Sequence, residues 1–129
     1  MTDMAGLWIK TIQRGDHTQT YYAELHSNGT ATERHFFAED HNRDETWPAK
    51  WMILKPMKRR DMLCYHVPTE HGLYVSLVHQ EWPGLWMGDE GRLEPGDQRG
   101  LEAIRDTPWM PAEHLMTDTT RVAFTRVSE

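Results

Sequence analysis

Apolar and polar residues alternate along most of this chain in short runs, separated by Gly, Pro, Asn and Asp. That period of two is the signature of half-buried β-strands. Leu7–Gln13 (LWIKTIQ) is predicted as a first strand, bounded by Gly6 and by Arg14-Gly15-Asp16, and Gln19–His26 as a second. Ser27-Asn28-Gly29-Thr30 carries the Asn-Gly pair of a two-residue hairpin turn, with Ala31–Phe37 as the returning strand. Ala38–Lys50 is polar and reads as a loop, and Trp51–Lys55 as a short strand. Leu63–Gln80 is a hairpin broken at Pro68–Gly72, the clearest wall of the fold. Trp82-Pro83-Gly84 turns the chain into Leu85–Met87, and Gly88–Gly91 reads as a tight turn before Arg92–Glu94. Asp97–Asp106 is the best helix, with Asp97 as N-cap. Pro111–Met116 adds one turn, and Arg121–Val127 is the last strand. Eight to nine short strands with one short helix before the last predict an all-β fold: a small antiparallel β-barrel, one domain over residues 1–129.

Register then decides which side chains meet. In Leu63–Gln80 the set Leu63, Tyr65, Val67, Leu73, Val75 and Leu77 shares a face if Val67 pairs with Leu73, with His79 at its end. The other face holds Cys64, His66, Tyr74 and Ser76. It lacks the Lys and Glu of a solvated surface, so a homodimer contact or a covering loop is expected over it. A two-residue Asn-Gly turn sets Glu24 opposite Glu33, Tyr22 opposite His35 and Tyr21 opposite Phe36. Two facing carboxylates repel, which would raise one carboxyl pKa and prepare it for proton transfer. The same face of Tyr22, Glu24, His26, Glu33 and His35 also suits plain exposure to water.

Composition narrows the function classes. The net charge is −6, and all of it comes from residues 65–129, so a phosphate backbone is an unfavourable partner. The basic run Lys55–Arg60 reads as a solvated turn. No apolar run approaches the ~20 residues of a membrane helix, and the first residues lack a signal-peptide pattern. Cys64 is the sole cysteine, which excludes an internal disulfide and leads us to expect a cytoplasmic protein. Six tryptophans are many for this length. Trp8 and Trp51 are assigned to the core, and Trp47, Trp82 and Trp86 to the rim of a ligand pocket. The histidines follow no zinc spacing, and no metal site or cofactor is expected.

Gly6-Leu7-Trp8 at the start of the first strand resembles the G-x-W signature of the calycin barrels, the lipocalins and fatty-acid-binding proteins. The resemblance covers the two ends of the chain. It implies that Trp8 plugs one end of a barrel and that a basic residue of the last strand, Arg121 or Arg126, lies across its ring. The Arg-x-Tyr carboxylate motif of the fatty-acid carriers is not matched, since Ser128 stands where Tyr would be.

Two functions compete on these grounds. The first is a cofactor-free cyclase, isomerase or dehydratase acting on a small apolar or aromatic molecule, with Glu24, Glu33 and His35 moving protons. Tyr22, Tyr65, Tyr74, His79, Trp47, Trp82 and Trp86 would bind the ligand. The second is a non-catalytic carrier of a hydrophobic ligand; a haem- or metal-binding barrel is more remote. Ionisable groups inside the cavity mark the enzyme, and an apolar wall marks the carrier.

Overall fold

The computed structural model describes residues 4–35, 45–56, 59–107 and 110–128. Eight strands, each antiparallel to the next, close into a barrel: β1 (Gly6–Arg14), β2 (His17–Leu25), β3 (Thr30–His35), β4 (Glu45–Leu54), β5 (Met62–Thr69), β6 (Gly72–Trp82), β7 (Leu85–Leu93) and β8 (Thr117–Ser128). Helices α1 (Gln98–Asp106) and α2 (Ala112–Leu115) lie between β7 and β8, the short helix and the added turn expected there. Asp97 caps α1, its carboxylate accepting from the Gly100 N–H at 2.9 Å. None of the described helices is long and apolar enough to cross a membrane.

The barrel has one filled end and one open end. At the filled end Trp8, Leu25, Leu63, Val78, Trp86, Val122 and Phe124 pack together, with Met4 beneath them. The Trp8 indole N–H donates to the Met4 carbonyl at 2.8 Å. Arg126 lies 4.5 Å from the Trp8 ring centroid and donates to the Ala5 carbonyl at 2.7 Å. Arg121 pairs instead with Asp89 at the surface.

Two registers differ from expectation, each by one residue. In the β2–β3 hairpin the loop is three residues, Ser27-Asn28-Gly29. His26 N–H donates to the Thr30 carbonyl at 2.9 Å, and Gly29 takes a φ of +89°. The Asn28 carboxamide oxygen accepts from both the Thr30 N–H and the Thr30 hydroxyl, which holds the longer loop. Glu33 is therefore opposite Ala23, Glu24 opposite Thr32 and Tyr22 opposite Arg34. The Glu24–Glu33 and Tyr22–His35 pairs do not exist. Phe36 lies outside the described residues.

In the β5–β6 hairpin the turn is Glu70-His71, and Val67 pairs with Tyr74 rather than Leu73. Leu63, Tyr65, Val67, Tyr74, Ser76 and Val78 face inward. Leu73, Val75, Leu77 and His79 face outward, where the first three pack with Cys64, Met62 and Leu93 against Ile104, Ala112 and Met116 of the helical segment. Burial could not select the register because both faces are buried. The cover expected over Cys64 comes from α1 and α2, whereas Tyr74 and Ser76 line the interior.

Two further readings are corrected. Residues 45–50 of the expected loop belong to β4; residues 36–44 are outside the described set. Gly88–Gly91 is not a turn but the middle of β7. Neither glycine has positive φ. A Cβ on Gly88 would lie 1.9 Å from the Leu77 carbonyl oxygen, and one on Gly91 would lie 2.6 Å from Met116 Cβ. These glycines allow close approach of neighbouring chain, not reversal of direction.

Candidate active site

The open end of the barrel holds a cavity of about 240 Å³ lined by charged, aromatic and aliphatic side chains. Alternation along β1 sends Trp8, Lys10 and Ile12 inward, so a lysine two residues above the Trp8 plug has to enter the barrel. The Lys10 ammonium sits 3.0 Å from Glu33 Oε2 and 3.3 Å from Glu90 Oε2, with all three side chains at most 3% exposed. Arg14, at the mouth, contacts Glu90 Oε1 at 3.2 Å, and the Ser76 hydroxyl donates to Glu90 Oε2 at 3.4 Å. Three buried charges, Lys10, Glu33 and Glu90, thus pair with one another in a dry setting, and the partly exposed Arg14 supplies the balancing fourth at the mouth, which is how buried charge is tolerated.

Glu33 is the hub of this network. Its Oε2 also accepts from the Tyr65 hydroxyl at 2.7 Å, and its Oε1 accepts from His35 Nε2 at 2.9 Å. Burial alone would raise its pKa, but Lys10 and the hydrogen bonds from His35 and Tyr65 outweigh that and hold it at about 2. The raised carboxyl pKa expected from a facing Glu24 is thereby overturned: Glu33 is ionised. Lys10 is also charged, since Glu33 and Glu90 overcome the effect of burial and raise its pKa. It is therefore no Schiff-base nucleophile. Burial next to Glu33 pushes the Tyr65 phenol well above its ordinary value, which keeps its proton in place.

His35 occupies the wall above Glu33. Its ring lies 4.2 Å from that of Tyr21 and stacks on Trp47 at 5.3 Å. An ionised carboxylate can only accept, so the Glu33 contact requires the proton of neutral His35 to reside on Nε2. Nδ1 is then the basic nitrogen. A carboxylate behind an imidazole also stabilises the imidazolium that forms when the ring takes a proton.

Of the residues singled out from sequence, the structure brings Glu33, His35, Tyr65, Tyr74 and Trp47 to this cavity. It does not bring the others. The Glu24 side chain is 61% exposed on the outer wall, where Tyr22 also lies. His79 faces outward, with Nδ1 3.2 Å from the Asp61 carbonyl oxygen. Trp86 is packed in the filled end, and Trp82 is exposed beside the turn there. Lys10, Arg14, Tyr21 and Glu90 were missed. The signal for Lys10 was available, because placing Trp8 inside places Lys10 inside as well. Glu90 was hidden by the two glycines read as a turn.

Compared with known proteins, the chain matches no family model, no curated protein and no solved structure. Function therefore has to be argued from the site. Among the described residues no group of His, Cys, Asp and Glu is arranged to hold a metal ion. Cys64, on the outer wall beneath the helices, is equally remote from chemistry: burial pushes its thiol up to about 12.

Proposed function

We propose that this protein is a cofactor-free acid–base enzyme of the cyclase, isomerase or dehydratase type, working in a calycin-like barrel on a small, largely apolar or aromatic molecule. The observation that carries this reading is the 2.9 Å contact between Glu33 and His35 in the wall of the cavity. His35 is the proton acceptor and donor. Glu33 is a positioning residue that fixes the tautomer, holds the ring and offsets the charge of the imidazolium. Lys10 keeps Glu33 ionised, and Lys10 and Tyr65 together engage the oxygen that His35 leaves, Oε2. Such a device contributes roughly 10²–10⁴-fold to a proton-transfer step. The calycin part of the reading is supported by Trp8 and Arg126 at the filled end, and a reducing, cytoplasmic setting by the lone buried thiol.

The test is a screen of small cyclic metabolites by thermal shift, followed by turnover of each hit with the native protein and with His35→Gln. Conversion that falls by two or more orders of magnitude in the variant is the expected result. Hits that are bound and recovered unchanged, equally well by both proteins, would leave a carrier and sink the enzyme.

A further inference from the structure

The charges around the cavity bear on what it can take in. Each of the four Lys, Arg and Glu side chains that line it among the described residues already has its opposite number: Lys10 with Glu33 and Glu90, and Arg14 with Glu90. An ammonium ligand would have to draw Glu33 or Glu90 away from Lys10. A carboxylate ligand at the depth of Lys10 would have to draw that buried ammonium away from Glu33 and Glu90. Either leaves a buried charge without its partner, which is more unfavourable than leaving the ligand in water. An uncharged ligand disturbs nothing.

Hydrogen-bonding capacity remains at two places on different walls. One is the second nitrogen of His35 on β3. The other is Tyr74 on β6, which lines the cavity and whose hydroxyl has no hydrogen-bond partner among the described residues. In the closed order of strands β4 and β5 separate these two, so the side chains reach into the cavity from across it. An eight-stranded barrel is wide enough for one small ligand between such walls. Tyr21 and Trp47, which pack beside His35 from the strands on either side and line the cavity with it, make this wall aromatic, which favours a planar one.

The geometry points to an uncharged, planar, ring-sized carbonyl compound as the substrate class, held with its carbonyl oxygen on the Tyr74 hydroxyl and an adjacent acidic C–H facing His35. This rests on the acid–base reading of His35. The C–H proton passes to His35 Nδ1, and its electron pair moves through the C–C bond onto the carbonyl oxygen. Tyr74 donates a hydrogen bond to the resulting enolate. Return of the proton to the same carbon gives exchange; where a double bond is conjugated with the enolate, its delivery from the imidazolium to the far carbon moves that double bond and completes an isomerisation with no other reactant. Tyr74 is therefore a catalytic residue here, and the paired charges are the source of specificity.

Three probes on one skeleton test this: indanone, indane carboxylate and aminoindane. Binding to the native protein is followed by tryptophan fluorescence, and exchange of the indanone α-protons by proton NMR in D₂O. Indanone should bind at least tenfold more tightly than either charged compound, and Tyr74→Phe should weaken its binding several-fold while circular dichroism is unchanged. Exchange should be accelerated by the native protein and return to the buffer rate in His35→Gln. Carboxylate or amine binding as tight as that of the ketone overturns the substrate class, as does the absence of saturable indanone binding. If the ketone is preferred but no exchange is accelerated, the acid–base reading of His35 fails and the ligand preference alone survives. An unchanged indanone affinity and exchange rate in Tyr74→Phe overturns the role of Tyr74.

Discussion

Glu33 shows how a single buried charge supports the fold and orders the polar groups around it. Its carboxyl is ionised down to about 2, against 4.5 for an unperturbed group. A carboxyl whose folded pKa is depressed stabilises the fold above its unfolded pKa and loses that contribution as pH falls through the folded value. The window here runs from about 4.5 down to about 2. The contribution at neutral pH is on the order of 3 kcal/mol. Urea denaturation from neutral pH into that window should therefore show Glu33→Gln weaker than the native protein at neutral pH, with the difference shrinking towards the acid end. Two curves that stay parallel throughout would contradict the assignment. The same variant removes the obligatory acceptor for His35 Nε2, so imidazole ¹⁵N shifts should report a mixed tautomer in place of the Nε2–H form. Lys10→Met leaves Glu33 and Glu90 buried without their shared cation. A loss of about 3–5 kcal/mol is expected from the same denaturation measurement.

At the scale of elements, one residue of loop length decides whether this site exists. With two residues between β2 and β3, Glu24 and Glu33 would share a face; with three, Glu33 and His35 turn inward with Tyr21 and leave Glu24 in water. Gly29 holds that geometry at φ +89°, so Gly29→Ala should lower stability by about 1 kcal/mol and shift the thermal midpoint accordingly. On the outer wall Ile104 of α1 is fully buried against β5, β6 and β7. Ile104→Ala should lose about 2–5 kcal/mol in the same assay, a loss that a loosely docked helix would not show. The strands were legible in the sequence because alternation is a local property. Their registers were not, because alternation says only which residues share a face, and turn chemistry says which face that is. Asn28-Gly29 fits a two-residue turn as well as the three-residue loop, and Leu63–Gln80 is apolar on both faces because the helices cover one of them. Glu33, His35, Tyr65 and Tyr74 could be picked out as residue types. The Lys10–Glu90 half of the network depended on reading Gly88 and Gly91 as points of close approach within a strand.

The whole molecule divides its interior between a packed core and a polar cavity. The lower half is filled by Trp8, Trp86, Phe124 and their neighbours, and the cavity above is smaller than the roughly 300–1,000 Å³ of drug-sized ligand pockets. This cavity, as the described residues form it, is too small to enclose a long acyl chain, so a fluorescent polyene fatty acid should show no saturable binding; stoichiometric binding would favour a carrier. Strands consecutive in the chain pair with one another everywhere except at the seam. There β1 pairs with β8, setting Lys10 beside Phe124 and Trp8 beside Arg126, residues more than a hundred positions apart in the chain. Ring closure of that span carries the largest entropic demand of any pairing in the fold. The seam should accordingly zip last on refolding and part first on unfolding. Arg126→Met, which removes the cation from the Trp8 ring, should then speed unfolding about fivefold for a loss of about 1 kcal/mol and leave the refolding rate nearly unchanged. The durability of the cavity at one end would thus be governed, in time rather than in energy, by a contact at the other.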